Sequence, residues 1–247
     1  MERLNAKQIY DKLVNEDKIL TLQGQIKFHL GDISIVIRQR DVVGNIMQEW
    51  MEGWMKKNEI EYTLNSNTQM PPDFYLNADD RTSDMLEIKA FYYKGSPGFD
   101  IAAFDMFEKE IRDNPFVLDT DYLIFGYDMN ENGDVTVKKI WLRKVWEITR
   151  PMKTNGGVEW PVNLQIKRDI VQKIRPGKWY GKQAKYKIFE SKRDFISAIE
   201  EAVYQNPATR SDSPAWKQKF IENYKKYYGE TIDIPRWSEI RTMYVIK

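Results

Sequence analysis

The sequence predicts an α/β or α+β fold, with a central mixed β-sheet and helices on its faces. Segments that alternate apolar and polar residues, typical of strands, occur along the chain among segments whose apolar residues recur every three to four positions, typical of helices. The chain has 247 residues, of which 42% are hydrophobic, enough to bury a large core. A mixture of strands and helices favours a sheet covered by helices over an all-α or all-β architecture.

The first elements predicted are a helix and a β-hairpin. Asn5 is a candidate cap for a helix that runs to Val14. Apolar residues alternate from position 26 to 37 on both sides of Gly31-Asp32, which is typical of a hairpin with a tight turn. This pattern places His29, the single histidine, on the outer face of the hairpin, so we interpret it as a surface residue rather than a catalytic one.

The strongest helical pattern spans Asp41 to Asn58, where one narrow apolar stripe follows the helical repeat. We interpret this stripe as core, and it consists of Val43, Ile46, Met47, Trp50 and Trp54. The elements predicted next are strands at Glu61–Leu64, Asp73–Leu76 and Met85–Tyr92, a helix at Phe99–Arg112, a strand at Tyr122–Tyr127, a turn at Asn130–Asp134 and, over Val135–Trp146, a strand with a short helix.

The composition changes near residue 150. Residues 1–150 hold the predicted sheet, whereas residues 151–247 are basic and rich in loops, and we predict that the two regions are continuous within one domain. Two helices are predicted in the second region. They span Ser191–Tyr204, capped by Ser191, and Pro214–Tyr228, capped by Ser213.

The composition also excludes several kinds of chemistry. The absence of cysteine rules out disulfides, thiolate zinc sites, iron–sulfur clusters and cysteine nucleophiles, and a single histidine rules out multi-histidine metal sites. Neither a Walker A sequence nor a Gly-x-Gly-x-x-Gly motif is present, which argues against nucleotide-driven motors and dinucleotide enzymes. Because no apolar run reaches roughly 18 residues and the first residues do not resemble a signal peptide, we expect a soluble, cytoplasmic protein.

Charge is balanced overall but segregated along the chain. The 38 basic and 37 acidic residues give a formal net charge of +1, which by itself indicates no partner. Residues 49–134 carry 19 acidic and 7 basic side chains, whereas residues 162–193 carry 10 basic and 2 acidic ones. This segregation favours a cation site in the first region and a polyanion partner for the second, although two solvated faces of opposite sign would give the same pattern.

Candidate catalytic residues occur in two short motifs, Pro72-Asp73 and Glu87-Ile88-Lys89. Alternate side chains of a strand share a face, so Glu87 and Lys89 should point the same way while Ile88 points into the core. Together with Asp73 from a neighbouring strand, two carboxylates could hold a hard divalent cation. Such a site favours hydrolysis of a phosphodiester, in which Lys89 would position or deprotonate the attacking water and offset the charge of the transition state.

The Glu-x-Lys pattern alone is weak evidence, because it also occurs at Glu16–Lys18 and Glu190–Lys192. Those two copies lack both the flanking apolar strand and the upstream Pro-Asp, a dipeptide that occurs once in the chain. The alternative is a surface ion pair between Glu87 and Lys89, worth under about 1 kcal/mol, with Asp73 opening a turn.

These motifs resemble the PD-(D/E)xK nuclease superfamily, and the chain is similar to the NgoBV family of type II restriction endonucleases. The resemblance covers most of the chain to about residue 196 and fits the remaining residues poorly. The similar segments are Ala6–Leu13, Val42–Trp54, Pro72–Leu76, Leu86–Phe91, Ser96–Phe104, Tyr122–Tyr127, Ile140–Ile148 and Gln165–Pro176.

The resemblance implies specific roles for the residues of these motifs. Asp73 and Glu87 would bind Mg²⁺ together with the main-chain carbonyl of Ile88, Lys89 would be the catalytic lysine, and Glu52 of the long helix would be a further catalytic acid.

For the whole chain, the resemblance implies a restriction-endonuclease-like nuclease core in residues 1–150 and a basic, helical, DNA-contacting extension in residues 151–247. It also implies a homodimer that cleaves double-stranded DNA at a short palindrome, with GGNNCC as the expected sequence.

The basic segment from Lys167 to Lys187 interleaves cations with aromatic residues, which favours contact with DNA phosphates over an ordinary solvated loop. Arg168 and Arg175 are candidate base-reading residues, because arginine recognises guanine edges in the major groove. Lys94 and Ser96 are candidate phosphate contacts beside the helix predicted to follow Ser96-Pro97-Gly98. The other candidate DNA-binding residues are Lys167, Lys173, Lys178, Trp179 and Tyr180.

Three alternatives stay open at this point. A repair or recombination nuclease on the same scaffold would share the catalytic residues, and a non-catalytic DNA-binding protein would use the Glu87–Lys89 pair structurally. The 8 Trp, 14 Tyr and 11 Phe residues would also suit a carbohydrate-binding module, which leaves the basic segment unexplained. The sequence does not specify the cut position, the number of metal ions or the role of the C-terminal helices.

Overall fold

A mixed β-sheet flanked by helices organises the computed structural model, which describes residues 1–67, 70–183 and 185–246 and confirms the predicted fold class. The strands are β1 Gln23–Gln25, β2 Lys27–Leu30, β3 Ile33–Val36, β4 Thr63–Leu64, β5 Phe74–Tyr75, β6 Met85–Tyr92, β7 Ala102–Ala103, β8 Asp121–Met129, β9 Asp134–Arg143, β10 Met152–Lys153, β11 Glu159–Trp160, β12 Leu164–Lys167 and β13 Ile170–Ile174.

The helices alternate with these strands along the chain. The α-helices are α1 Ala6–Asp11, α2 Val43–Lys57, α3 Phe104–Asp113, α4 Lys192–Gln205, α5 Ser213–Tyr228 and α6 Trp237–Ile240. A π-helical turn, Lys12–Glu16, continues α1, and 3₁₀ turns span Ile19–Thr21, Pro115–Asp119, Val145–Ile148, Arg210–Asp212 and Arg241–Tyr244. In the described part of the chain, none of these helices has the length and apolar character needed to cross a membrane.

The chain divides into two units, each with its own contacts. The first comprises Met1–Asn65, Pro72–Phe99 and Asp121–Arg143, and the second comprises Ser66–Pro71, Asp100–Thr120 and Lys144–Lys247. The last change of unit, after Arg143, lies close to the boundary predicted near residue 150. Two short segments, 66–71 and 100–120, also belong to the second unit. A single boundary near residue 150 does not account for these two segments.

A six-stranded sheet in the order β1-β9-β8-β6-β5-β4 forms the centre of the first unit. β6 and β8 pair in parallel, and the other neighbouring strands pair antiparallel. Most residues of β6 and β8 are buried, which explains why their sequences are nearly continuous apolar runs rather than alternating ones. α2 packs against β6, and both contribute to one core cluster that includes Met51, Met55, Leu86, Ile88 and Phe125.

The predicted helices of the first unit are confirmed, with one difference in packing. Asn5 caps α1, because its side chain accepts a hydrogen bond from the backbone N–H of Gln8. α2 falls within the predicted range, but its stripe is only partly core, since Ile46 and Trp50 are more than a third exposed. Met51 and Met55 are buried on the face of α2 that contributes to the core.

β2 and β3 form the predicted hairpin, with Gly31 in the left-handed conformation that the turn requires. His29 pairs with Ser34 on one face and is exposed, as predicted. The opposite face carries Phe28, Leu30, Ile33 and Ile35, and it is exposed as well. The alternation in the sequence therefore reports the two faces of the hairpin correctly, although neither face is buried in the core.

The helix predicted at Phe99–Arg112 begins later than expected, at Phe104. The residues before it are extended instead, because the Ile101 N–H donates to the Ile174 carbonyl and Ala102–Ala103 pair with β13. The prediction that a helix starts directly after Ser96-Pro97-Gly98 is therefore wrong. Pairing with a strand more than 60 residues away outweighs the local helical pattern.

The second unit contains a three-stranded sheet in the order β12-β13-β7 and the three C-terminal α-helices. β12 and β13 are joined by a two-residue turn, Arg168-Asp169, in which both residues have positive φ angles, 52° and 62°. Such turns favour Asn-Gly, because most side chains are strained in the left-handed region. Ser191 caps α4 as predicted, whereas the N-cap of α5 is Asp212 and makes no side-chain capping bond, so the predicted Ser213 cap is wrong.

A buried carboxyl group lies between α3 and α5 in the second unit. The Trp216 indole N–H donates to Oε2 of Glu108 at 2.6 Å, and Oε1 of Glu108 is buried without a hydrogen-bond partner among the described residues. Burial raises the pKa of Glu108 to about 7, although the hydrogen bond from Trp216 opposes this shift. Glu108 is therefore a destabilising charge in the folded protein when the pH is above 7.

The variant Glu108→Gln is expected to raise the free energy of unfolding by about 1–3 kcal/mol near pH 8. The unfolded pKa of 4.5 lies below the folded value of about 7, so the wild type loses stability as the pH rises between these values. The gain from Gln should accordingly shrink towards zero as the pH falls to 4.5. Urea unfolding at several pH values measures this, and Glu222→Gln, an exposed change on α5, is the control. An equal gain at low and high pH would contradict the explanation.

Candidate active site

Strand β6 presents a carboxylate and a lysine side by side. Nζ of Lys89 lies 2.6 Å from Oε1 of Glu87, and both side chains are largely buried. The alternate residues Leu86, Ile88 and Ala90 are buried on the other face. The strand therefore has the orientation that the sequence predicted, with the Glu87 and Lys89 side chains on one face and the apolar residues in the core.

Asp73 joins this pair because β5 is short. β5 pairs with β6 only at Phe74↔Leu86 and Tyr75↔Met85, and Asp73 is the next residue outward. The backbone N–H of Ile88 donates to Oδ2 of Asp73 at 2.8 Å, in the position that a longer partner strand would occupy. The N–H and C=O of one strand residue point to the same edge, so the Ile88 carbonyl faces the same side as Asp73.

The carboxylates of Asp73 and Glu87 lie close together, and the single positive charge of Lys89 does not balance their two negative charges. Burial and the negative charge of Glu87 raise the pKa of Asp73 to about 7, although Lys89 and the Ile88 N–H oppose this shift. Oε2 of Glu87 is buried and has no hydrogen-bond partner among the described residues. A buried acceptor without a partner costs free energy, so this arrangement favours binding of a cation.

The donor set suits a hard divalent cation, of which Mg²⁺ is one. Mg²⁺ binds through one or two carboxylates and keeps coordination positions for water and substrate phosphates. Asp73, Glu87 and the Ile88 carbonyl provide such a set of oxygen atoms. Within residues 1–67, 70–183 and 185–246, no group of three or more His, Cys, Asp or Glu side chains is placed to hold a metal ion. A two-carboxylate site with a main-chain ligand is compatible with that finding.

Tyr122 of β8 is a neighbour of this site that the sequence did not indicate. It lies directly beside Glu87 in the parallel register and is fully buried. Burial, together with the charges of Glu87 and Asp73, raises the pKa of Tyr122 well above its ordinary value. The apolar run Tyr122–Tyr127 predicted a strand, but the register that places Tyr122 next to Glu87 has no signal in the sequence.

Glu52, the predicted further catalytic acid, lies on α2 and interacts with two nearby side chains, Lys56 and Tyr62. Its Oε1 lies 2.6 Å from Nζ of Lys56 and accepts a hydrogen bond from the Tyr62 hydroxyl at 3.0 Å. These two hydrogen bonds lower the pKa of Glu52. Tyr62 packs edge-on against Phe74, the residue after Asp73. The Asp73, Glu87 and Lys89 side chains form one cluster, and Glu52 forms a second one with Lys56 and Tyr62.

The predicted DNA-binding residues differ in their surroundings. Lys173 and Arg175 both hydrogen-bond to the Asp100 carboxylate, at 2.5 Å for Lys173. Burial opposes ionisation of Asp100, but these two bonds outweigh it and lower the pKa of Asp100. Lys167 and Arg168 are exposed at the turn between β12 and β13.

The remaining candidates lie on exposed or half-buried loops. The Lys178 ammonium lies 5.3 Å from the centre of the Tyr180 ring, and Tyr180 packs edge-on against Trp179. Lys94 forms an ion pair with Asp128 at 2.9 Å, and Ser96 is exposed in a loop instead of preceding a helix. The helix N-terminus that made Ser96 a phosphate contact is therefore absent at that position.

Comparison with known proteins shows extensive similarity. The NgoBV restriction endonuclease family is matched over residues 3–244, so the similarity extends beyond residue 196, the limit of the resemblance described from the sequence. The chain is 57% identical over 245 residues to the type II restriction enzyme NlaIV of Neisseria lactamica, covering 99% of both chains. It is 51% identical over 168 residues to the type II restriction enzyme NgoBV of Neisseria gonorrhoeae, covering 68% of this chain and 93% of that protein. A solved structure of the NlaIV restriction endonuclease superposes with a TM-score of 0.93 at 56% identity, covering 99% of this chain and 98% of the other.

Proposed function

The chain belongs to the NgoBV restriction endonuclease family and is a type II restriction endonuclease, and we propose that it hydrolyses double-stranded DNA at GGNNCC in a reaction that depends on Mg²⁺. The membership sets aside the repair nuclease, the non-catalytic DNA-binding protein and the carbohydrate-binding module. The observation that carries the proposal is the cluster of Asp73, Glu87 and Lys89, in which one oxygen of Glu87 is buried and has no partner in the part of the chain that the structure describes.

In the proposed site, Asp73, Glu87 and the Ile88 carbonyl would hold the metal ion. When bound, a divalent cation supplies a Lewis acid for the scissile phosphate and helps to generate a nucleophile from water. The chain's own contribution is to fix the ligands. The Ile88 N–H holds the Asp73 carboxylate, and the Lys89 ammonium holds one oxygen of Glu87, so that the second oxygen stays available.

Lys89 is the proposed catalytic lysine. Its ammonium lies on the same face of β6 as Glu87, where it can donate a hydrogen bond to the attacking water and to a phosphoryl oxygen. Negative charge on the phosphate increases in the transition state, and a fixed ammonium in a largely buried site stabilises that charge. Glu52 is proposed as a further acid, supported by its place on α2, which packs against β6.

DNA contact is proposed for the basic residues of the second unit. The candidates are exposed Lys167 and Arg168, at the turn between β12 and β13, and exposed Lys178, which lies beside half-buried Trp179 and Tyr180. Lys173 and Arg175 share the Asp100 carboxylate, so their contribution to DNA binding requires exchange of that partner for a phosphate or a base.

Lys94 and Ser96 are proposed as phosphate contacts in the first unit on the ground of their exposure alone, since no helix begins beside them and Lys94 would have to exchange Asp128 for a phosphate. A homodimer is proposed because a palindrome has two equivalent strands, and each active site would cleave one of them. The proposed location is the cytoplasm, where a restriction enzyme meets DNA that enters the cell.

Digestion of unmethylated plasmid DNA by the purified protein tests the proposal. We expect discrete fragments in the presence of Mg²⁺ and none with EDTA, because EDTA removes the cation that the carboxylates of Asp73 and Glu87 are proposed to hold. Sequencing of the fragment ends gives the recognition site and the stagger together. Cleavage at a different palindrome would contradict GGNNCC alone, whereas cleavage that persists in EDTA would contradict the metal site.

A further inference from the structure

The hairpin β2–β3 carries an apolar face that the described residues of the chain do not cover. The pairs Phe28↔Ile35 and Leu30↔Ile33 lie on this face, and the exposed fractions are 52% for Phe28, 71% for Leu30, 70% for Ile33 and 49% for Ile35. We call these four residues the apolar ribbon. Monomeric proteins seldom leave large apolar side chains contiguous on the surface, and a two-stranded hairpin alone is marginally stable in water.

The base of the hairpin is anchored, so the ribbon has a defined place in the first unit. The Ile37 N–H donates to the Ile26 carbonyl at 2.9 Å, which extends the pairing of β2 and β3. Gly133 packs so closely against Val36 and Ile37 that a Cβ atom there would lie 2.6 Å from the Val36 side chain. These contacts involve the base of the hairpin and leave the ribbon uncovered.

An apolar groove begins where the hairpin starts. The groove has a volume of about 220 Å³. Six of the residues that line it are Leu22, Ile26, Ile46, Met47, Trp50 and Val135. Ile26 is also the residue that precedes β2, so the groove and the ribbon form one continuous apolar surface of the first unit. Leu22, Ile46 and Trp50 are each more than a third exposed.

We propose that a second copy of the chain covers this surface, with the apolar ribbon of each protomer packed in the groove of its partner. One chain carries both an apolar projection and an apolar groove, which are the two halves of an isologous, two-fold interface. The exposed fractions of the ribbon, of Leu22, Ile46 and Trp50 in the groove, and of the neighbouring Leu20 correspond to roughly 700–800 Å² of surface, close to the value of about 800 Å² per partner in a standard interface.

The chemistry of the ribbon argues against DNA as the occupant. None of its four side chains carries a charge or a hydrogen-bonding group, whereas DNA contacts depend on cations and polar groups. The polar residues of the hairpin, Lys27, His29 and Ser34, lie on the opposite face. This inference rests on the proposed function, because it assigns an interface to the homodimer proposed there.

Sedimentation equilibrium of the full-length protein tests the assignment. The wild type should be a dimer, and the double variant Leu30→Glu/Ile33→Glu should dissociate, with a dimer dissociation constant raised at least about 100-fold. His29→Glu/Ser34→Glu, which adds the same two charges to the neighbouring pair on the opposite face, is the control and should leave the dimer intact. A double variant that stays dimeric, or a monomeric wild type, would overturn the proposal.

Introduced cysteines give a second measurement of the interface, one that does not require the folded protein to tolerate charged residues in the ribbon. The natural chain has no cysteine, so any disulfide must join the introduced residues. A mixture of Leu30→Cys and Leu22→Cys proteins should form a disulfide between the two variants under mild oxidation. If the mixed disulfide is absent, the packing of ribbon in groove is wrong.

These outcomes are separate from those of the nuclease proposal. Cleavage of plasmid by the wild type tests the active site, whereas the oligomeric state of the variants tests the surface, so either can fail alone. If the double variant stays dimeric and loses affinity for DNA in a mobility-shift assay, the ribbon binds DNA and the dimer assignment is overturned.

Discussion

Replacement of Lys89 by alanine is expected to slow DNA cleavage about 1,000-fold or more. The ammonium of Lys89 is held beside Glu87, and its loss removes the positive charge proposed to stabilise the phosphate in the transition state. The Asp73 and Glu87 carboxylates remain, so we expect binding of Mg²⁺ or Mn²⁺ to be retained. Single-turnover cleavage of a short duplex, with metal binding followed by calorimetry, separates the two effects.

Lys7→Ala is the matched control for Lys89→Ala. Lys7 forms an ion pair with Asp11 at 2.5 Å, similar in length to the Lys89–Glu87 pair, but on an exposed face of α1. Exposed pairs of this kind contribute little to stability, so the variant should cleave at the wild-type rate. If Lys89→Ala also cleaves normally, the Glu87–Lys89 pair is structural and the catalytic assignment is wrong.

Replacement of Asp73 by asparagine is expected to abolish cleavage and at the same time to stabilise the metal-free protein. Asn retains an acceptor for the Ile88 N–H but removes a buried charge whose pKa is raised to about 7 by burial and by Glu87. The ordinary value is 3.8, so the wild type loses stability as the pH rises from 3.8 through 7. Near pH 8 and in EDTA, we expect a gain of about 2–4 kcal/mol in the free energy of unfolding.

Added Mg²⁺ should reverse the order of stabilities. A ligand that binds only the folded state stabilises it, so Mg²⁺ should raise the melting temperature of the wild type and leave that of Asp73→Asn unchanged. Glu108→Gln is the control that separates stability from cleavage. It should stabilise the protein near pH 8, like Asp73→Asn, but it should cleave DNA at the wild-type rate. A stabilised Asp73→Asn that still cleaves would contradict the role of Asp73 as a metal ligand.

The sequence predicted those parts of the fold that depend on local pattern. The Asn5 cap, α2, the hairpin around Gly31 and the full extent of β6 follow from side-chain periodicity and turn residues. The start of α3 did not follow, because Ala102–Ala103 pair with β13, a strand about 70 residues farther along the chain. Segments that depend on distant pairing are those for which local propensity is a weak guide.

The site shows the same division between local and distant information. The common face of Glu87 and Lys89 is a property of one strand, and it was predictable. The neighbourhood of Tyr122 depends on the parallel register of β6 and β8, and the pairing of Lys173 and Arg175 with Asp100 joins residues about 75 positions apart. Neither arrangement has a signature in the order of the residues, which is why these partners were not anticipated.

The turn between β12 and β13 has a consequence for protein engineering. Arg168 and Asp169 occupy left-handed backbone positions, each at a conformational cost of roughly 1–2 kcal/mol that Asn or Gly would reduce. Asn or Gly at these two positions should therefore strengthen the fold, whereas β-branched residues and proline should weaken it. In a randomised library, selection for folding alone should enrich Asn and Gly at both positions. If Arg168 and Asp169 are recovered only under selection for DNA cleavage, the two side chains contribute to activity at a cost in stability.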